Sequence, residues 1–172
     1  MSPDPTDLTP VAAASARWLS SAYPPPGGAL SRALADVQAR QAGLLAAALR
    51  FPTGLDVQLL HLLGPSGSHR LDGLTGHPPP PQDGGWRSWV DEHVVSWAAC
   101  LLAEPALTVH AVRALEGTEH RGAAGHLRRL TDPGTRDLEA TVLLRHPDLL
   151  ETVAALHRPR FLETLSLTPP LP

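Results

Sequence analysis

Apolar residues recur along this chain at spacings of three and four, and no stretch alternates with period two for long, so the pattern predicts helices and no sheet. Residues 29 to 50 are the plainest case. Leu30, Leu34, Val37, Gln41, Leu44 or Leu45, and Ala48 share a face, with Arg32, Asp36 and Arg40 as a charged ladder opposite. Upstream, Thr9 as N-cap and Pro10 in the first turn open a helix with Val11, Ser15, Trp18 and Ala22 on one side, and "PPPGG" at 24 to 28 closes it. Downstream, Phe51-Pro52 is a stop and "TGLDVQLLHLL" a restart, with Thr53 and Asp56 in near capping-box positions and Gly64-Pro65 as the next break. Residues 64 to 85, "GPSGSHRLDGLTGHPPPPQDGG", sustain neither period and read as a Pro/Gly-rich loop, stiffened by polyproline at 78 to 81. Beyond it, "WRSWVDEHVVSWAACLLAE" at 86 to 104 reads as one central helix with a broad apolar surface. Trp89, His93 and Trp97 fall at i, i+4 and i+8 along one stripe of it, and Trp97 lies deepest in the apolar run.

Leucine followed three residues later by proline occurs seven times, which makes it the chain's way of ending one helix and starting the next. These breaks divide the C-terminal half into short helices near 105 to 116, 118 to 130, 133 to 145, 147 to 157 and 160 to 167. The expected fold is therefore all-α, an irregular helical bundle. A single domain covers 10 to 167, made of N-terminal helices (10 to 63), the loop (64 to 85) and C-terminal helices (86 to 167). A disordered tail at 1 to 9 and a short tail at 168 to 172 flank it. Residues 130 to 156, "LTDPGTRDLEATVLLRHPDLLETVAAL", resemble the helical repeats of the HEAT class and the leucine-rich-variant class. That resemblance implies a small HEAT-like layer of short helices in the C-terminal half.

Composition narrows the chemistry. With 42% apolar and 18% charged residues the balance is globular, and a net charge of -3 gives no general attraction to nucleic acid or anionic membrane. The basic residues are arginines without a single lysine, which reflects a GC-rich genome and excludes both a Walker A loop and Schiff-base chemistry on pyridoxal phosphate. The lone cysteine, Cys100 in "SWAACLLA", allows neither an internal disulfide nor a cysteine zinc site and reads as a packing residue. The N-terminus lacks a basic region followed by an apolar core, and no apolar run reaches the ~18 residues of a membrane span. The expectation is a cytoplasmic protein with no membrane contact.

Two constellations carry candidate chemistry. "LHLL" at 60 to 63 and "EGTEHRGAAGHLRRL" at 116 to 130 resemble the metal-holding places of DinB and YfiT helical bundles, and the resemblance implies a divalent metal, zinc or nickel, on His61, Glu116 and His120. Gly64-Pro65 and Gly117 interrupt the helices which that pattern needs. The second is the basic stretch holding Arg121, Arg128 and Arg129, whose guanidiniums suit carboxylates or phosphates. No aromatic residue interleaves it to stack bases, which disfavours nucleic acid. "GPSGS" at 64 to 68 departs from the G-x-S-x-G elbow at Ser68, and no strand precedes it, so Ser66 reads as a turn residue. The functional expectation is a non-enzymatic protein-protein interaction or scaffold domain without a cofactor. It would contact another protein, or a second copy of the chain, through Trp89, His93, Arg121, Arg128 and Arg129. The alternative is a DinB/YfiT-like metal-dependent enzyme.

Overall fold

Helix α1 (Thr9–Ala22) folds back onto the long α2 (Ala29–Arg50), and small residues set how closely they approach. Ala12, Ala14 and Ala16 of α1 and Ala35, Ala39, Ala42 and Ala46 of α2 are all buried in this region of the core. At Gly43 the approach is so close that an added Cβ would stand 2.9 Å from the Ala12 carbonyl oxygen, which accounts for a glycine in mid-helix despite its cost of about 1 kcal/mol. The computed structural model describes residues 4–25, 27–76, 85–144 and 147–166, with the side chains of 142–150 excluded. Among the described residues every regular element is helical, and no helix is long and apolar enough to cross a membrane.

The second organising element is α5 (Glu92–Ala103). Every residue from Val94 to Leu102 is buried, because α2 covers one side and α9 (Pro147–Ser166) another. Asp91 starts α5 by accepting the Val94 amide at 3.0 Å, the N-cap geometry that side chains of this length favour. This start corrects the expectation of one helix over 86 to 104. Trp86–Trp89 form a separate 3-10 turn, and Val90 is extended, its carbonyl accepting the Gly67 amide at 3.0 Å. Trp89 therefore does not continue the stripe of His93 and Trp97. Trp97 is core as expected, 2% exposed and stacked on Phe161 with ring centres 5.1 Å apart.

Three further departures have local causes. The stretch 64 to 85 is not all loop: α4 (His69–Thr75) forms inside it, with Leu71 fully buried. Asp72 of α4 accepts the Trp18 indole N–H at 2.9 Å, the Ser68 hydroxyl at 3.0 Å and a hydrogen bond from Arg87, contacts that no local period reveals. The prolines at 78 to 81 lie outside the described residues, as do residues 1–3 and 168–172 of the tails. Residues 4–8 are no free tail. Leu8 enters the core, and Asp7, rather than Thr9, accepts the first helical amide, that of Thr9, at 2.8 Å.

In the C-terminal half, α6 (Pro105–Leu115) begins at its proline as expected, but 118 to 130 holds only a 3-10 turn at Arg121–His126 and a single turn, α7 (Arg128–Thr131). Helix α8 (Thr135–Leu144) follows. The expected break near residue 158 is present inside α9, where His157 leaves helical geometry (φ -128, ψ 17) ahead of Pro159. Helix α8 packs chiefly on α2 and α9 chiefly on α5, so the HEAT-like layer is not carried into a stacked pair among the described residues.

Candidate functional site

Helix α3 (Gly54–Leu63) is fixed at both ends and covered on one edge only. At its start Thr53 and Asp56 form the expected capping box, with Asp56 accepting the Thr53 amide at 3.0 Å and Thr53 Oγ1 accepting the Asp56 amide at 3.2 Å. Glu119 reinforces this end by accepting the Gly54 amide at 2.6 Å while its own amide donates to the Pro52 carbonyl at 3.0 Å. Near its other end, His61 Nε2 lies 2.9 Å from the Asp7 carbonyl oxygen, and the imidazole meets Trp89 edge-on with ring centres 5.0 Å apart. Val57 and Leu60 enter the core. Leu55, Leu59, Leu62 and Leu63 face outward, Leu62 and Leu63 each 78% exposed. These four stand at i, i+4, i+7 and i+8, one continuous stripe of the helix. Alongside lies a pocket of about 280 Å³ whose lining includes Leu59, Leu63 and Arg50. The Nε of Arg50 is buried with no hydrogen-bond partner.

A second concavity, of about 500 Å³, lies between α1, α2 and the turn at Trp86–Trp89. Pro10, Ala13 and Ala14 supply its apolar floor, and Trp86 and Trp89, both half-buried, its aromatic walls. The turn is held by Arg87, bound to Asp72. Burial alone would raise the Asp72 carboxyl, but hydrogen bonds from Arg87, Trp18 and Ser68 and the charge of Arg87 keep it below the usual carboxylate range.

The third cluster joins α5 to α9. His93 and His157 stack with ring centres 3.7 Å apart, and Glu92 Oε1 lies 2.5 Å from His157 Nε2 and 2.6 Å from Arg70 Nη2. Burial pushes His93 below its ordinary value, and the nearby positive charges of His157 and Arg50 add to that. Proline and the non-helical His157 leave α9 backbone groups without their regular partners, and α5 supplies replacements. Ser96 Oγ accepts the His157 amide at 3.0 Å and donates to the Ala154 carbonyl at 3.1 Å, while the Trp97 indole N–H donates to the His157 carbonyl at 3.1 Å. These residues form a polar clasp on the kink. Cys100 takes part, its thiol 3.3 Å from the Ala154 carbonyl oxygen, and burial pushes that thiol up to about 12, which suits packing and not nucleophilic attack.

The residues singled out in the sequence fall in different places. Among the described residues, no group of three or more histidine, cysteine, aspartate or glutamate side chains is arranged to hold a metal ion. His61 and His120 each direct Nε2 at a backbone carbonyl oxygen, His120 at that of Phe51, 2.7 Å away, and Glu116 is exposed beyond the end of α6. The ligand set implied by the DinB and YfiT resemblance is thus not assembled among the described residues; His61 ties α3 to Asp7, and His120 engages the C-cap residue of α2, Phe51. His93 belongs to the α5–α9 clasp. Arg121, Arg128 and Arg129 are exposed on the 3-10 turn and α7, with Arg129 donating to Asp137 at 2.8 Å. Trp89 lines the groove. Sequence reasoning passed over the outward leucines of α3, although a signal was present. Its apolar residues occupy two faces, and a helix on the edge of a fold can cover only one. The chain matches no protein-family model, no curated protein and no solved structure, which leaves its own geometry as the ground for a functional assignment.

Proposed function

We propose that this chain is a non-enzymatic helical interaction domain that presents the leucine face of α3 to a protein partner. The observation that carries this reading is the exposure of Leu55, Leu59, Leu62 and Leu63 on a helix anchored at both ends. Each leucine left in water forgoes about 1.5–3 kcal/mol of burial. A contiguous set of them is the kind of surface that marks a contact site. The anchoring supports the reading further, because a helix already held in place loses little conformational freedom when it docks. Its anchors have the spacing of helix-in-groove recognition, and a second copy of the chain is the other occupant that the same surface suits.

The test is site-specific photo-cross-linking in cells of the native organism, with a benzophenone side chain at Leu62 and, as control, at Leu138, which is also exposed but lies on α8. The expected result is a discrete adduct from position 62 and none from 138, with the adduct's mass separating a second copy from a different protein. Equal labelling at both positions, or none at 62, contradicts the reading.

A further inference from the structure

The groove at Trp86 and Trp89 shares no lining residue with the α3 pocket, and its chemistry is different. Its volume of about 500 Å³ falls within the ~300–1,000 Å³ of ordinary ligand sites. Pro10, Ala13, Ala14 and Arg17 stand at i, i+3, i+4 and i+7 on α1, so a floor of small apolar side chains ends in a guanidinium. The walls are tryptophans, the residue type most enriched among interface hot spots. The charges at the rim do not balance. Arg40 is matched by Asp36 at 2.9 Å, whereas Arg17 has no ion-pair partner among the described residues. The guanidinium carbon of Arg17 lies 4.9 Å from the centre of the Trp86 ring. Arg87 approaches the same ring at 5.5 Å, but it is bound to Asp72. A guanidinium over an indole uses its charge and its face, leaving its in-plane N–H donors for an acceptor. The groove lining therefore carries two guanidiniums against one carboxylate, in a chain whose net charge is -3.

We propose that this groove docks an acidic peptide segment of a partner protein. A carboxylate of the segment takes the N–H donors of Arg17, and a neighbouring apolar side chain lies on the Pro10–Ala13–Ala14 floor between the two indoles. Single-stranded nucleic acid would also stack on tryptophan, but its phosphate backbone is held by many cationic contacts, and this groove offers one unmatched guanidinium. The site is independent of the α3 leucine face and stands or falls without it.

The test uses the intact chain and a fluorescein-labelled octapeptide of alternating aspartate and leucine, followed by anisotropy. A serine-leucine octapeptide and an oligothymidylate of the same length serve as comparison probes. The acidic peptide is expected to bind about tenfold or more tightly than either comparison probe, and Arg17→Ala to weaken it about tenfold, the scale of one charge-assisted hydrogen bond. Arg17 is exposed, so a thermal melt of the same variant should match that of the parent. Leu62→Ser/Leu63→Ser should leave peptide binding unchanged. Equal binding of the acidic and serine peptides, an Arg17→Ala variant that binds as before, or an oligothymidylate that binds as tightly as the acidic peptide overturns the proposal. Loss of binding in the Leu62/Leu63 variant with retention in Arg17→Ala would assign the peptide to α3 and overturn it as well.

Discussion

Helix α5, "EHVVSWAACLLA", and helix α3, "GLDVQLLHLL", are both rich in valine and leucine and both begin at a side-chain cap, yet their surroundings are opposite. From Val94 to Leu102 nothing in α5 is open to solvent, whereas α3 buries only Val57 and Leu60. Composition does not separate them; position does. Helix α5 lies between α2 and α9, which cover it from two sides, while α3 sits at the edge and meets the core along one strip. An apolar pattern records that a surface is better covered than wet, and leaves open whether the cover comes from the same chain.

Substitutions can sharpen this contrast. The largest effect is expected for Trp97→Ala, about 3–5 kcal/mol by urea unfolding, since the side chain is 2% exposed, stacks on Phe161 and holds the α9 kink. A loss below about 1 kcal/mol would mean that α5 is not the centre of the fold. Gly43→Ala tests the α1–α2 layer on which α5 rests. The new Cβ meets a backbone oxygen that cannot swing aside, so a loss of about 1–3 kcal/mol is expected in the same assay. Thr53→Ala tests what holds α3 in place. Loss of the capping box should cost about 1 kcal/mol and speed hydrogen exchange at the first amides of α3 before those of α5.

Acidification addresses the α5–α9 clasp. His93 is held below its ordinary value of 6.5 in the fold, chiefly by burial, so the unfolded chain takes up this proton more readily. Stability from this group is complete above about pH 6.5 and falls as pH drops below it. For Glu92, burial alone would raise the carboxyl, but hydrogen bonds and charge from Arg70 and His157 hold it lower. Its contribution is present above the ordinary value of 4.5 and is lost as pH falls further. The melting temperature should thus hold above about pH 6.5 and decline as pH falls below it, and by less in His93→Gln. An unchanged decline in that variant would place the sensitive group elsewhere.

Helix α2 was legible as an element, but its inner face was not: Leu30 is 57% exposed and Leu34, Val37, Gln41 and Leu44 are only half-buried, whereas Ala35, Gln38, Ala39 and Ala42 are buried, because the close approach of α1 at Gly43 takes small side chains and not the leucine stripe. The break before Pro159 was legible because proline acts on its own neighbours. The start of α5 was not, since Trp86 and Trp89 continue the apolar spacing and only the Asp91 cap and the tie from Gly67 to Val90 interrupt it. Nor was α4, whose anchors, Trp18 and Arg87, lie 54 and 15 residues from Asp72. As to the site, the sequence offered Trp89 as a contact residue, and it lines a groove. His61 and His120 could not be told from ligands, because the carbonyl oxygens that engage them belong to distant Asp7 and Phe51.

The smallest effect is expected where the account is most exposed to contradiction, at the leucines of α3. In urea unfolding, Leu62→Ala/Leu63→Ala should stay within about 0.5 kcal/mol of the parent, as surface positions do, because neither side chain is covered by the fold. A loss of about 2 kcal/mol or more, the range of buried leucines, would show that these side chains serve the fold itself and that α3 has no surface to spare for a partner.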